Sequence, residues 1–575
     1  MSLVERRPGQ TAVPAGLRPL TTYLFERAES TRPAFTFLDY ATDRDGTEHT
    51  LTWAELAARV NSVAAELSRV TARGARVAVL APQDLTYVTA FLGALHAGCV
   101  AVPLFAPEVS QHGGRLVNVL ADCAAEVWLT SRGALEDVRA LAEQNPVPMP
   151  KQIIAVDELP QAEDFQAPQV DLDDPAYLQY TSGSTRDPAG AVITHRGITA
   201  NAWQAKAGFG LDESWTFAGW IPFFHDMGLV QLLAEPLFSG GRSVFMTPFS
   251  FIMRPVRWLR QMSNVQNVLS AAPNFAFDYV VKKVKEEERA GLDLSGVRVV
   301  INGSEPVRDT TIAEFAEAFG PYGFAPEAHR PSFGLAEATV FVTNTGEEGP
   351  TVTSFDRAAL AEDRGVTVEP GTPGELRLVA AGRPVGQTVH IVHPIECTPR
   401  GEGEVGEIWV SGPNVATGYW RQPERTEETF GGTLAGEAGT FLRTGDLGLV
   451  HDGLLYITGR IKDLIIIDGK NHYPQDIEAT VQEAHPAIRR DHVAAFAIRD
   501  ESGVEGAAVV AEYSRKAGEG ELDEKEISRA VRRAVSATHD VKLRGFKLVP
   551  PGGVLRTSSG KVARAATKQK HWDEP

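Results

Sequence analysis

The chain has 575 residues, enough for one large domain with a smaller companion. Its formal net charge of −18 excludes a general nucleic-acid binder, whose affinity rests on Lys and Arg neutralising phosphates. Its three cysteines, Cys99, Cys123 and Cys397, are far apart with no CxxC. That pattern points to reduced thiols in the cytoplasm and away from a disulfide framework or a zinc site.

In chain order, the first residues lack an apolar core and do not read as a signal peptide. Thr52-Trp53-Ala54-Glu55 is a capping box that opens an amphipathic helix through Leu67. Ala75 to Leu80 reads as a short strand ended by Pro82. The apolar run Val88 to Pro107 is broken by His96, Gly98 and Pro103, so it reads as a buried helix entering a core strand, not a membrane span. This rhythm predicts an α/β protein with a mostly parallel sheet.

Tyr180 is followed by Thr181, Ser182, Gly183, Ser184 and Thr185, then by Arg186-Asp187-Pro188-Ala189-Gly190. Glycines let backbone approach phosphate, and hydroxyls with free N–H groups supply donors, although one such loop could be an ordinary polar turn. Val297 to Ile301 reads as a strand running into the turn Asn302-Gly303-Ser304-Glu305-Pro306. Thr343 to Arg383, rich in Gly, Thr, Glu and Pro, reads as an inserted element with a helical piece near Phe355 to Asp363. Gly406 to Val410 and Leu454 to Ile457 read as strands. Beyond Arg460 the pattern becomes helix at Ile477 to Gln482, strands at His492 to Ile498 and Ala507 to Tyr513, and helix at Glu526 to Val535. The expected division is 1–461 and 462–575.

Further motifs follow the phosphate loop in a fixed order: Trp220 to Gly228 with His225, Asn302 to Pro306, Ser332 to Thr339, Arg443 to Asp446, Thr458 to Asp463, and Leu555 to Lys561. The set spans nearly the whole chain and resembles the adenylate-forming superfamily of acyl-CoA synthetases, luciferases and nonribosomal adenylation domains. Three details resemble its fatty acyl-AMP ligases: Pro188-Ala189-Gly190 where lysine is usual at the middle position, Phe333-Gly334-Leu335-Ala336-Glu337-Ala338-Thr339, and Asn471-His472-Tyr473-Pro474-Gln475-Asp476-Ile477-Glu478. Ala272 to Asp278 also fits, with Phe277 where tyrosine is common.

The resemblance implies a large, multi-subdomain N-terminal adenylation domain and a small, mobile α+β C-terminal domain with a hinge at Lys462. It implies that ATP and Mg²⁺ convert a fatty acid to acyl-AMP, and that the acyl group passes to the phosphopantetheine thiol of an acyl carrier protein. No carrier-like segment follows Lys561, so the acceptor is expected to be a separate chain, as in polyketide or lipopeptide assembly. Thr181 to Thr185 would cradle phosphates, Glu337 would position Mg²⁺, and Asp446 and Arg460 would meet the ribose. Ser304, Glu305 and Pro306 would flank the adenine with Ser332, Phe333 and Gly334. Lys561 would bridge carboxylate and α-phosphate, with His225 closing over the same site. The insert would hinder the CoA-dependent arrangement. The competing readings are an acyl-CoA synthetase and a non-catalytic acyl-nucleotide scaffold, the latter favoured only by Ala189.

Two surface expectations remain. Phe223, Phe224, Met227, Phe251 and Met253 could line an acyl tunnel or be plain core. Arg529, Arg532, Arg533, Lys542, Arg544 and Lys547 could steer an acidic carrier or be a solvated face.

Overall fold

The computed structural model describes residues 13–107, 113–162, 165–180, 188–467, 469–499, 505–514, 523–557 and 560–573. A sheet of 14 strands runs through the larger part of the chain. Its parallel half places Pro33–Asp39, Arg242–Phe245, Thr216–Gly219, Val268–Pro273, Val297–Gly303 and His329–Gly334 side by side. Beyond His329–Gly334 the sheet continues antiparallel through Phe341–Asn344, Glu375–Pro384 and Leu454–Arg460 to Leu442–His451 and Gly406–Ser411.

A second sheet of six strands is parallel except for its last pair, Pro175–Tyr180 with Gly190–Thr194. Its strands Val100–Pro103 and Val127–Thr130 are buried at every position, as sheets covered on both faces require. The two sheets share the largest apolar cluster, into which helices Trp53–Val70, Leu85–His96 and His195–Phe209 pack. The predicted capping box closes in both directions, Glu55 N–H to Thr52 Oγ1 at 3.2 Å and Thr52 N–H to Glu55 Oε2 at 2.8 Å. A Cβ on Gly93 would lie 2.4 Å from Val63, so glycine there sets how closely two of these helices approach.

The carboxy-terminal part is a three-stranded sheet of Ile488–Arg499, Glu505–Tyr513 and Leu543–Val549. Helices Pro474–Ala484 and Glu524–His539 cover one face through Ile477, Val481, Ile527, Val531 and Val535. Val554, Val562 and Trp572 cover the other. Among the described residues no helix is long and apolar enough to cross a membrane.

The segment 343–383 carries the expected helical piece as Arg357–Leu360 and adds strands that the sequence did not indicate. Both of its ends are strands of the large sheet, Phe341–Asn344 and Glu375–Pro384, and Phe355 lies in the strand Val352–Asp356, not in a helix. Its helical pieces are the single turn Gly346–Glu348 and the short helix Arg357–Leu360. The polar composition reflects a strand pair with one exposed face, while Phe355 and Leu360 are buried beneath it.

Candidate active site

The site forms where the parallel strands end. At the carboxyl end of Val297–Gly303 a Cβ on Gly303 would stand 2.9 Å from the Ser332 carbonyl, so the chain there admits only glycine without displacement. Ser304 follows with a φ of +65°, a conformation costly for a side chain and enriched at functional turns. The turn points Glu305 inward, where Oε1 accepts the Phe275 N–H at 2.6 Å. Burial raises the Glu305 carboxyl above the usual range, opposed by that hydrogen bond and by Lys561 and Arg308. Ser332 is half-buried, Phe333 is buried, and Pro306 is exposed. A Cβ on Gly334 would lie 1.8 Å from the Val340 carbonyl, so this wall of the slot is backbone packed on backbone.

The loop after Thr216–Gly219 brings His225 to the start of a short helix, where Nδ1 caps the Met227 N–H at 3.3 Å. The same nitrogen lies 2.7 Å from Asp226 Oδ1. Burial pushes the Asp226 carboxyl up, but His225 and Lys561 outweigh it, and the carboxyl sits below its usual range.

On the antiparallel side Asp446 and Arg460 are cross-strand partners, and Arg460 Nε donates to Asp446 Oδ1 at 2.7 Å. Asp446 is 5% exposed, so its carboxylate is held in place by this one cation. Glu337 accepts the Tyr419 hydroxyl at 2.8 Å, and its charge helps to raise the Arg460 guanidinium.

Lys561 completes the constellation. Its loop is closed by Thr557 N–H to the Lys561 carbonyl at 2.9 Å and by Lys561 N–H to Thr557 Oγ1 at 3.2 Å. Burial lowers the Lys561 ammonium below the ordinary lysine range; Asp226 opposes this, Arg460 adds to it, and Glu305 and Asp446 oppose it more weakly. Charged groups of four motifs separated widely in sequence thus act on one ammonium.

Residues 181–187, with Thr181, Ser182, Gly183, Ser184 and Thr185, lie outside the described residues. Their flanks are placed: the loop joins the antiparallel strands Pro175–Tyr180 and Gly190–Thr194. That hairpin is tied to the segment bearing Tyr419 by Val192 N–H to Gly418 O, Trp420 N–H to Gly190 O, and Gln422 Nε2 to Pro188 O at 2.8 Å. The ends of the loop and the side chain that holds Glu337 are therefore joined by hydrogen bonds. Ala189 is 4% exposed, within the main core, so this position does not present a side chain to solvent.

Residues 25–420 match the AMP-binding enzyme family. The chain is 43% identical to the long-chain-fatty-acid–AMP ligase FadD32 of Mycolicibacterium smegmatis, over 94% of this chain and 92% of that protein. It is 40% identical to the long-chain-fatty-acid–AMP ligase FadD26 of Mycobacterium marinum, over 97% and 98%. The chain belongs to the fatty acyl-AMP ligases of the AMP-binding enzyme family. The fatty acyl-adenylate ligase of L. pneumophila, solved with acyl adenylate and pyrophosphate, superposes with a TM-score of 0.74 at 32% identity, over 97% of each chain. A structure from the study of fatty acyl-adenylate ligases of E. coli and L. pneumophila gives 0.85 at 32% identity, over 97% of this chain and 98% of that one.

In this fatty acyl-AMP ligase the Asn471 to Glu478 signature has a structural use. Asn471 N–H donates to the Ala361 carbonyl at 2.9 Å, and Asn471 Nδ2 to Asp363 at 2.8 Å. Arg357 makes a two-pronged pair with Asp476 at 2.8 and 3.1 Å. Tyr473 joins Phe355 and Leu360 in one apolar cluster. The 343–383 segment is thereby fastened to the start of helix Pro474–Ala484.

Lys462 lies exposed in a single turn, Ile461–Asp463, between Leu454–Arg460 and the next strand. Of the apolar candidates, Phe223 packs against Phe245 and Tyr87, and Phe251 stacks on Trp220 at 3.9 Å, both as core. Phe224 meets Phe105, and Met253 is 64% exposed. Asp226 and Tyr419 are site residues that sequence reasoning did not single out. Asp226 adjoins His225 within a recognised motif and was within reach; nothing near Tyr419 in sequence points to Glu337.

Proposed function

We propose that this enzyme activates a fatty acid with ATP to acyl-AMP and pyrophosphate, then transfers the acyl group to the phosphopantetheine thiol of a separate acyl carrier protein. The observation that carries the reading is that the Lys561 loop, through Gly560, rests on Phe275, whose N–H is held by Glu305 at the carboxyl end of a parallel strand, where α/β sheets bind nucleotides, and that Asp226, Glu305, Asp446 and Arg460 all act on the lysine charge.

In the first step a carboxylate oxygen of the acid attacks the α-phosphorus, and the bond to the β-phosphate oxygen breaks. The Lys561 ammonium spans the two anions as they meet, a task for a compact charge on a flexible stem. Burial keeps water from screening it. Asp446 accepts from the ribose hydroxyls with its free oxygen, the other being fixed by Arg460. Ser304 to Pro306 and Ser332 to Gly334 bracket the adenine. Thr181 to Thr185 hold the phosphates between flanks tied to the Tyr419 segment. His225, whose Nδ1 lies against the Met227 N–H and Asp226, has Nε2 left to meet the acyl and phosphate groups. In the second step the thiol sulfur attacks the acyl carbon and AMP leaves.

Glu337 suits Mg²⁺: it is a hard oxygen ligand, oriented by Tyr419. The ion, when bound, neutralises charge on the triphosphate.

We assign residues 1–461 and 462–575 to the large and small domains, with Lys462 at the hinge. We place the enzyme in the cytoplasm, consistent with two buried free thiols, Cys99 and Cys123. The clamp between Arg357 and Asp476 resists the rotation that would admit CoA. Arg357→Ala is expected to raise acyl-CoA formation about tenfold, equivalent to loss of about 1.4 kcal/mol of restraint, with acyl-AMP formation unchanged. Product analysis with CoA as acceptor checks this, and unchanged acyl-CoA output would remove the clamp from the account.

The basic residues Arg529, Arg532, Arg533, Lys542, Arg544 and Lys547 are all exposed, on helix Glu524–His539, strand Leu543–Val549 and the short link between them. Between Ile527 and Lys547 the sequence holds one carboxylate, Asp540. On an enzyme of charge −18 this patch fits an acidic carrier. The double change Arg532→Glu and Arg533→Glu is expected to raise KM for the carrier about tenfold at low salt and leave ATP–pyrophosphate exchange intact. An unaltered KM would assign the patch to solvation.

The function itself is tested by product analysis with ATP, Mg²⁺ and fatty acids of graded length, with no acceptor, with CoA, or with a phosphopantetheinylated carrier. Acyl-AMP with transfer only to the carrier supports the reading. Efficient acyl-CoA formation would make it a CoA ligase. Failure to form acyl-AMP with every acid would favour the scaffold.

A further inference from the structure

Arg308 lies just beyond the Ser304 turn, at the start of helix Asp309–Phe319. Its guanidinium joins two carboxylates from remote parts of the chain. One is Asp278 on helix Asn274–Lys283; the other is Asp491, in the strand Ile488–Arg499 of the carboxy-terminal sheet, at 2.5 Å. The side chains are 31%, 23% and 31% exposed, so the bridge is neither fully solvated nor sealed.

Asp491 is held there by its backbone. It has a φ of +63° at a register shift between Ile488 and Val493, and its N–H donates to Gln482 Oε1 at 2.9 Å. Its carbonyl accepts from Arg556 Nη2, and Arg556 Nη1 donates to the Gly560 carbonyl at 2.7 Å. Gly560 immediately precedes Lys561. It has a φ of +83°, and a Cβ there would stand 3.3 Å from the Phe275 ring. Phe275 is the residue whose N–H Glu305 accepts. A continuous chain therefore runs from helix Asn274–Lys283 through Arg308, Asp491 and Arg556 to the loop of Lys561, and the loop rests on the same helix.

We propose that Arg308 and Asp491 are positioning residues for adenylate formation, latching the Lys561 loop over the site, and that the pair must part before the thiol reaches the acyl group. The proposal rests on the reading of Lys561 given above. The latch acts on the orientation of the two parts of the chain, not on the folding of either: each has its own core, whereas the ion pair exists only when they meet in this arrangement. Removing it lowers the population of the arrangement that forms acyl-AMP and leaves the opposite arrangement free. A partly exposed pair contributes modestly to stability but shifts a near-balanced equilibrium.

The test uses the full chain with Asp491→Asn, Arg308→Gln, Arg308→Lys and, alongside, Lys561→Ala. Two half-reactions are measured separately: ATP–pyrophosphate exchange with a long-chain acid, and transfer from pre-formed acyl-AMP to a phosphopantetheinylated carrier. Asp491→Asn and Arg308→Gln are expected to lower exchange kcat by about tenfold to a hundredfold, the range for a displaced catalytic group, with transfer equal to or faster than wild type. Arg308→Lys keeps one charge contact and recovers part of the exchange. A purely structural role would instead lower both half-reactions together with the melting temperature. That parallel loss overturns the latch, as does normal exchange in Asp491→Asn and Arg308→Gln while Lys561→Ala has none. If Lys561→Ala itself kept exchange, the reading of the lysine would fall, and the latch with it.

Discussion

Lys561→Ala is expected to reduce acyl-AMP formation by about 10²–10³-fold, the cost of removing one oriented donor from a charged transition state. The electrostatic surroundings argue for the upper end. Asp226, Glu305 and Asp446 all act on the ammonium, with Arg460 as the opposing cation. Without Lys561 the incoming carboxylate and triphosphate meet carboxylates with one fewer positive charge between them. The side chain belongs to a loop closed by Thr557, so its truncation leaves the fold intact. ATP–pyrophosphate exchange, read with a thermal melt of the same sample, checks both halves of the statement. Exchange at wild-type rate would remove Lys561 from the chemistry.

Glu235→Gln is expected to flatten the dependence of stability on pH. Glu235 begins the helix Glu235–Ser239, is 3% exposed, and its Oε2 has no hydrogen-bond partner among the described residues. Gln231, earlier in the same helical run, has neither amide atom paired. Burial alone raises the Glu235 carboxyl from 4.5 to about 8. The folded protein then binds a proton that the unfolded chain releases. The stability this contributes is complete below about pH 4.5 and is lost as pH rises to about 8. At about 1.4 kcal/mol per unit the loss amounts to about 5 kcal/mol. Glutamine does not ionise, so the variant should match or trail wild type near about pH 5 and exceed it near about pH 9. Denaturation midpoints across that range decide it: parallel curves for the two proteins would mean that Glu235 is already ionised in the fold, or reached by water.

Much of the fold was legible because local rules and tertiary demands agree. The Thr52 capping box, the strand Val297–Gly303 and the helix Glu524–His539 each carry their own periodicity or cap, and the structure places them there. The helical piece expected near Phe355 to Asp363 is there as Arg357–Leu360, while the strands on either side of it were not legible because a half-exposed strand pair is as polar as an irregular segment. The tunnel candidates stayed ambiguous because an apolar side chain looks the same whether it faces a ligand or another side chain. Phe251 found Trp220 and Met253 found solvent, a difference set by contacts distant in sequence.

The sequence by itself determined the chemistry. The glycine- and hydroxyl-rich loop after Tyr180, Glu337, Asp446 and Lys561 occur in a fixed order, and an order of motifs is a linear property that needs no coordinates to read. Tertiary structure alone decided how those groups are held. Tyr419 reaches Glu337 from 82 residues away, Arg308 reaches Asp491 across 183, and the Asn471 signature acquires a purpose only when Arg357 and Ala361 are seen against it. Such pairs are not marked by spacing or composition, because an ion pair or hydrogen bond depends on distance in space, and that distance is fixed only after both sheets and their helices have packed.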